Sequence, residues 1–387
     1  MNAEPLAPEP GTAGVAGRAQ AVRRLELRDV RNYARLLLEP GSGPVVLYGD
    51  NGAGKTNLLE AVSLLSPGRG LRGARLAEID RSEGGAFRIL AEVDGHMGPC
   101  ELETGHDHAA ERRSATCDGQ PLRSQNGLGE HVSVLWLTPA MDRLFAESAG
   151  GRRRFLDRLV LAVDAAHAAR VAGYERAARE RAHLLRSGRR DAAWLGAIEQ
   201  RMAEAAVAVT AARRELVAEL DAELAQAQHH FPRPRLELVG ELEDWLAAMP
   251  ALAAEQRLAE TLAGSRDNDA QTGSTAIGPH RSDLSATDSL RGEAAARCST
   301  GRQKAYLISV ILAQAQLRRR RHGDLPILLL DEVTAHLDPR RRVELLHALV
   351  DLGAQSWLTG TEARLFDPIL RSAHVHNVVN GALRPHE

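Results

Sequence analysis

The segment Gly49–Thr56, "GDNGAGKT", constrains this chain more than any other stretch. It satisfies G-x-x-x-x-G-K-[ST] and stands between a short apolar run, "PVVLY" (44–48), and a stretch expected to be helical from Thr56 to about Leu65. Strand, glycine-rich loop and helix is the order that a phosphate cradle requires. Gly49, Gly52 and Gly54 let the backbone pass close to phosphate oxygens without a Cβ in the way. The N–H groups of Asp50, Asn51, Ala53 and the helix N-terminus then supply a positive field. Lys55 is placed to bridge the β- and γ-phosphates of ATP, and the Thr56 hydroxyl to ligate Mg2+. Of 49 cationic side chains only Lys55 and Lys304 are lysines. A GC-rich coding background explains the arginine excess, and against it a lysine inside this loop stands out.

A second half-site lies far downstream. The apolar run of "ILLLDE" (327–332) reads as a buried parallel strand delivering Asp331 and Glu332 to its C-terminal edge. Asp331 would hold Mg2+, and Glu332 would polarise the attacking water as general base. Upstream, "STGRQ" (299–303) opens a predicted helix. In isolation Ser-Thr-Gly is an ordinary helix cap. In this position Ser299, Gly301 and Gln303 stand in the frame of the ABC-type signature, which closes over the γ-phosphate bound by a partner subunit. "EVTAHLD" (332–338) follows in the D-loop frame, with Asp338 able to reach across a dimer interface. The strand ending "WLTGTE" has no histidine where many ABC enzymes carry a switch residue, so Thr359 or Thr361 is left to serve. His336 reads as a loop histidine.

Around these motifs the chain is expected to be an α/β P-loop ABC-type ATPase head with an inserted α-helical lobe. Residues 1–20, rich in Ala, Gly and Pro, read as a disordered tail. The ATPase lobe takes 21–150 and 275–387, with strands at 23–30, 44–48, 87–94, 132–137, 326–331, 355–360 and "HVHNVV", and helices from Arg302 and from Arg340. Residues 151–274 form the insertion and a linker. Within it the stripe Trp194, Ile198, Met202, Ala205, Val209, Ala212, Leu216, Leu220, Leu224 has helical spacing. Gly188 punctuates two long helices, "FPRPR" (231–235) breaks the second, and "GSRDNDAQTGS" (264–274) reads as a flexible link.

Composition narrows the partners. No apolar run approaches the roughly 20 residues that span a bilayer, and no secretory signal opens the chain. Cys100, Cys117 and Cys298 are odd in number, far apart and without metal-ligand spacing, which fits a reducing cytoplasm. With a net charge of −2, any DNA contact has to come from local patches. Arg318–Arg321 ends a helix, where cations offset the dipole. Arg152–Arg154 begins one, where they do not, which points to an interface or DNA role. Asn32, ahead of the P-loop strand, looks placed to approach the nucleotide.

Beyond the generic motifs, the chain resembles the RecF family of bacterial DNA-repair ATPases in "RDVRNY", "NLLEAVSLLSPGRGLR", "RRRFLDRLV", "GPHRSDL" (278–284) and "CSTGRQKAYLI". Departures are Ser282, where the family usually has an acid, and Cys298 ahead of the signature. The resemblance implies a nucleoid-associated recombination mediator with an ATP-dependent head-to-head homodimer and slow, DNA-stimulated hydrolysis. It further implies binding at gapped or junction DNA, RecR and RecO as partners, and a link to the SOS response. Another SMC/ABC-type DNA-associated ATPase is the alternative. A transporter subunit would be uninterrupted and carry a switch histidine, and an SMC protein would carry a far longer coiled coil.

Overall fold

In the computed structural model, residues 18–187, 191–227 and 231–385 are described. The tail expected at 1–20 therefore lies outside them up to residue 17, and so does Gly188. Residues 18–20 correct that boundary. Arg18–Ala19 is a strand parallel to Asp324–Leu325. The Gln20 amide is buried, donating to Asp324 at 2.8 Å and accepting from the Ser133 N–H at 2.7 Å.

Two six-stranded sheets build the ATPase lobe. The first runs in the order Ala382–Pro385, His374–Val379, Val45–Tyr48, Ser356–Gly360, Ile327–Leu330, Val134–Leu137, and only Ala382–Pro385 is antiparallel. Its central strands are almost wholly buried and mostly apolar, as parallel strands covered on both faces must be. The strand before the P-loop and the strand before Asp331 are not neighbours. Ser356–Gly360 lies between them and brings Thr359 to the site.

The second sheet is antiparallel, in the order Tyr33–Leu38, Ala21–Val30, Arg88–Gly95, Gly98–Asp107, Arg112–Cys117, Gln120–Pro121. Only two of its six strands, Ala21–Val30 and Arg88–Gly95, are expected from the sequence. Its strands alternate in short hairpins over a polar outer face, as along Gly98–Asp107, where only Leu102, Thr104 and Gly105 are buried, and so carry little continuous apolar signal. The P-loop helix Lys55–Ser63 packs between the sheets, with Leu58, Leu59, Ala61 and Val62 fully buried alongside Leu25, Leu27, Ile89 and Trp357.

Helices Ala149–Leu161, His167–Arg186 and Ala192–Gln226 form the insertion. At about 1.5 Å per residue the last is roughly 50 Å long. It ties two cores together: Leu195, Ile198 and Met202 pack at the tip of the insertion, and Leu216, Leu220 and Leu224 pack against the signature helix Thr300–His322. Trp194, first in the expected stripe, is 45% exposed. It sits in the first helical turn, where the preceding helix has already ended at Arg186.

Two further expectations are corrected. The "flexible link" contains the helix Arg266–Thr272, because buried Asp269 accepts from Arg181 at 2.7 Å and Arg266 grips Glu199. "FPRPR" opens a strand, Pro234–Val239, which pairs antiparallel with Asp283–Asp288. Proline is tolerated there as the first residue of the strand.

Candidate nucleotide site

Gly49, Gly52 and Gly54 have φ of 145°, 82° and 118°, a region that disfavours side chains. At Gly54 a Cβ would fall 2.5 Å from Asn32 Nδ2, and at Gly49 2.3 Å from the Val378 carbonyl, so both neighbours press on the loop. Asn32 donates to the Ala53 carbonyl at 3.2 Å and accepts from Asn57 at 2.7 Å. Tyr33 donates to the Gly54 carbonyl at 3.1 Å. Asn32 thus supports the loop from behind. The helix begins at Lys55 with Gly54 as N-cap, no side-chain cap and no acid in its first turn, leaving its first N–H groups for an anion. Asp50, Asn51 and Gly52 are exposed, and Ala53 is buried.

Lys55 is 4% exposed, and its ammonium donates to the carbonyls of Gly49 and Asp50 at 2.7 and 2.8 Å. Burial lowers its pKa, while the charges of Glu332, Asp331 and Asp50 oppose that shift. The same charges place both motif acids within electrostatic reach of the P-loop lysine. Across the site the Thr56 hydroxyl meets the Asp331 carboxylate at 3.0 and 3.1 Å. A hydroxyl and a carboxylate converging at this point are the hard oxygen donors that suit Mg2+.

Glu332 follows Asp331 in a left-handed conformation, φ 47°, which costs a residue of this type of order 1 kcal/mol or more. Two side chains, Thr359 and Lys304, fix its backbone. Its N–H donates to Thr359 Oγ1 at 2.8 Å, and the Thr359 hydroxyl donates onward to Asp331 Oδ1 at 2.7 Å. Lys304 donates to the Glu332 carbonyl at 3.0 Å and to Asp142 Oδ2 at 3.3 Å. Of the two threonines considered for the switch position, Thr359 is fully buried in the site, whereas Thr361 is exposed. The chain's second lysine therefore packs directly on the Glu332 turn, a contact no motif foretold; its rarity among 49 cations was the available signal. Burial depresses the Lys304 pKa, with Asp142 opposing, and burial raises that of Asp142.

The signature opens the helix that carries Lys304. Ser299 is the N-cap of Thr300–His322, yet its hydroxyl makes no cap hydrogen bond and the residue is exposed. A Cβ on Gly301 would come 3.2 Å from the His336 carbonyl, so the signature packs on the turn that follows Glu332. Gln303 departs from the expected nucleotide contact. It is 3% exposed and donates to the Cys298 carbonyl at 2.9 Å, bracing the turn from inside. Asp338 caps the next helix, accepting from the Arg341 N–H at 3.0 Å.

The remaining sequence motifs are joined pairwise by ion pairs. Glu60, fully buried on the P-loop helix, takes Arg31 at 2.8 and 2.9 Å and Arg72 at 3.0 Å. Arg152 holds Asp283 through two bonds of 2.6 and 2.8 Å, and Arg153 donates to the Ser282 carbonyl at 2.8 Å. Arg213 binds Asp157 twice at 2.8 Å and the Pro279 carbonyl at 2.6 Å. Arg152 and Arg153 therefore brace the helical insertion against the "GPHRSDL" segment rather than facing solvent. Ser282, which leaves that segment without the usual acid, is fully buried and donates to Glu243. Arg318 is buried against Asp324, while Arg321 pairs with Glu215 and Glu219, so this cluster is structural.

The RecF/RecN/SMC N terminal domain family matches residues 21–381. A DNA replication and repair protein RecF of Mesorhizobium japonicum is 45% identical over 371 residues, covering 95% of this chain and 98% of that protein. The RecF of Rhizobium meliloti is 45% identical over 363 residues, covering 92% and 97%. Among solved structures, the recombination mediator protein RecF with ATP in the RecFOR pathway aligns with a TM-score of 0.82 at 22% identity, covering 96% of this chain and 99% of that one. A SmcHead bound to the C-winged helix domain of ScpA aligns with a TM-score of 0.51 at 13% identity, covering 94% and 96%. By its length-spanning identity to these relatives and the family match across both sheets and the insertion, the chain belongs to the RecF family.

Proposed function

We propose that this protein is an ATP-dependent, DNA-binding recombination mediator of RecF type, acting at gapped DNA in replication and repair. The observation that carries the ATP-gated part is the division of the site. Lys55, Thr56, Asp331, Glu332 and Thr359 converge, whereas Ser299 and the Gly301 N–H lie at an exposed helix N-terminus on the far side of the Glu332 turn. Such a half-site is completed by a second copy, whose signature supplies the donors facing the γ-phosphate. ATP is held by the P-loop N–H groups and Lys55, and Mg2+ by Thr56 and Asp331, where it would offset phosphate charge. Glu332 takes the proton of the attacking water. The tight anchoring of Glu332 accords with slow hydrolysis that DNA accelerates.

Two copies closing on ATP also bring their exposed arginines together, which reconciles DNA binding with a net charge of −2. The names of the 45% identical relatives support replication and repair as the setting. RecR- and RecO-like proteins are the partners this reading implies, in the cytoplasm with the nucleoid; no helix is long and apolar enough to cross a membrane among the described residues. The test is a titration of labelled gapped DNA at several salt concentrations, with and without ATP. Binding should require ATP and fall with a log–log slope of about 0.9 per neutralised phosphate, and Lys55→Met should weaken it. Equal affinity in both nucleotide states would overturn the composite surface.

A further inference from the structure

Cys100 and Cys117 are far apart in sequence, but the antiparallel sheet brings them together. Gly98–Asp107 pairs with Arg112–Cys117 in a register that sets Leu102 opposite Cys117. Cys100, two residues from Leu102, shares its inward face and is the diagonal neighbour of Cys117. The turn beyond is the pair Asp118-Gly119, both at positive φ (48° and 72°), as a two-residue hairpin needs. Asp118 is pinned to Glu101 twice, its N–H donating to the Glu101 carbonyl and its Oδ1 accepting from the Glu101 N–H, each at 2.8 Å. Onto this corner comes His131, the last residue of the short helix Leu128–His131 that leads into the core strand Val134–Leu137. Its carbonyl accepts from the His96 N–H at 2.7 Å. Gly95 permits that approach, since a Cβ there would lie 2.6 Å from the same oxygen.

The two sulfurs and an imidazole nitrogen all lie within 4.8 Å of one another, partly buried. The Cys117 Sγ to His131 Nδ1 separation is 3.6 Å. With Zn–S of about 2.3 Å and Zn–N of about 2.05 Å, a tetrahedral angle sets these atoms about 3.6 Å apart. The fit is to a metal edge. Asp118 Oδ2 stands 3.8 Å from the Cys117 sulfur but is not within reach of all three ligand atoms, so the fourth position is left to solvent. A disulfide fits less well, because diagonal neighbours in a sheet have Cα atoms about 7–8 Å apart, beyond the usual span of a bridge. We propose that Cys100, Cys117 and His131 form a binding site for a thiophilic d10 cation of the zinc class. The cation clamps the tip of the antiparallel sheet to the edge strand of the parallel one. Soft thiolate with imidazole selects such ions over Mg2+, so the site does not compete with the nucleotide's cation.

The test uses the full-length protein, reduced and stripped with a chelator, without nucleotide, titrated with Co2+ and then with Zn2+. Tetrahedral thiolate ligation gives intense sulfur-to-cobalt charge transfer and visible ligand-field bands at one equivalent, which Zn2+ then abolishes. The other cluster, Asp80, His106 and His108, has no sulfur and cannot give the charge-transfer band, so that band alone reports the thiolate site. Cys117→Ser and Cys100→Ser should each weaken Zn2+ binding by more than about 100-fold, since outer-sphere partners alone are worth about 10–100-fold in metal sites. Cys298→Ser should retain it. Zn2+ should raise the unfolding midpoint of the wild type but not of Cys117→Ser. Absence of the sulfur bands, bands that survive Cys117→Ser, or a Cys100–Cys117 disulfide that persists under the reducing conditions would overturn the proposal.

Discussion

Replacing Thr359 by valine keeps the shape of a fully buried side chain and removes its hydroxyl. Two bonds disappear, one donated to the Asp331 carboxylate at 2.7 Å and one accepted from the Glu332 N–H at 2.8 Å. A bond to a charged group contributes about 1.5–3 kcal/mol and a neutral one about 0.5–1.5 kcal/mol, so the pair is worth roughly 2–4.5 kcal/mol. At 1.4 kcal/mol per tenfold, that sets a ceiling of roughly 30- to 1,600-fold if all of it is felt in the transition state. Thr56 still bonds Asp331, and Lys304 still holds the Glu332 carbonyl. We therefore expect a fall of about 10–100-fold in kcat, as for a misplaced catalytic group. ATP affinity should change little, because the P-loop contacts are intact. Steady-state hydrolysis with gapped DNA, beside equilibrium binding of a fluorescent ATP analogue, separates the two effects, and Thr359→Ser should recover most of the rate. A valine variant that turns over within about twofold of wild type would refute the assignment of Thr359 as the residue orienting both acids.

Arg152→Ala should lower the unfolding free energy by about 1–3 kcal/mol, because it removes a bidentate pair whose Asp283 partner is 38% exposed and so partly screened. Urea unfolding reads this, and the salt slope of DNA binding should be unchanged; a reduced slope would instead place Arg152 on phosphate. Acidification should also destabilise the fold before the carboxylates titrate. Burial holds the pKa values of His280, His322 and His376 below the ordinary histidine range. His280 donates from Nε2 to the Thr275 carbonyl at 2.9 Å and so accepts from Tyr174 at Nδ1. Below about pH 6.5 the unfolded chain takes up protons that the folded one refuses, so stability should be full above that pH and decline beneath it. Flat stability from pH 7.5 to 5.5 would contradict the neutral buried histidines.

The parallel sheet and its motifs were legible because buried strands and a phosphate loop write continuous local patterns. "PVVLY", "ILLLD" and "QSWLTG" all fall on observed strands. What local pattern cannot express is pairing across the chain. The position of Thr359 beside Asp331 depends on the order of strands in the sheet, not on spacing. Glu60 reads as one more polar residue on an amphipathic helix, although it is fully buried and gathers the partly exposed Arg31 and Arg72. Asp269 reads as linker until Arg181 is seen to need it. Cys100 and Cys117 looked isolated for the same reason: a hairpin register, not a motif, makes them neighbours.

The most direct measurement is the mass of the protein by sedimentation velocity, with and without ATP and Mg2+, for the wild type, Glu332→Gln and Ser299→Arg. Glu332→Gln removes the base without a phosphate contact, so it should persist as an ATP-bound dimer while the wild type dissociates as ATP is consumed. Ser299→Arg, altered at an exposed helix N-terminus and at none of the P-loop contacts, should bind ATP with wild-type affinity and stay a monomer. A Ser299→Arg protein that dimerises with ATP as the wild type does would contradict the account, as would a Glu332→Gln protein that remains monomeric in saturating ATP.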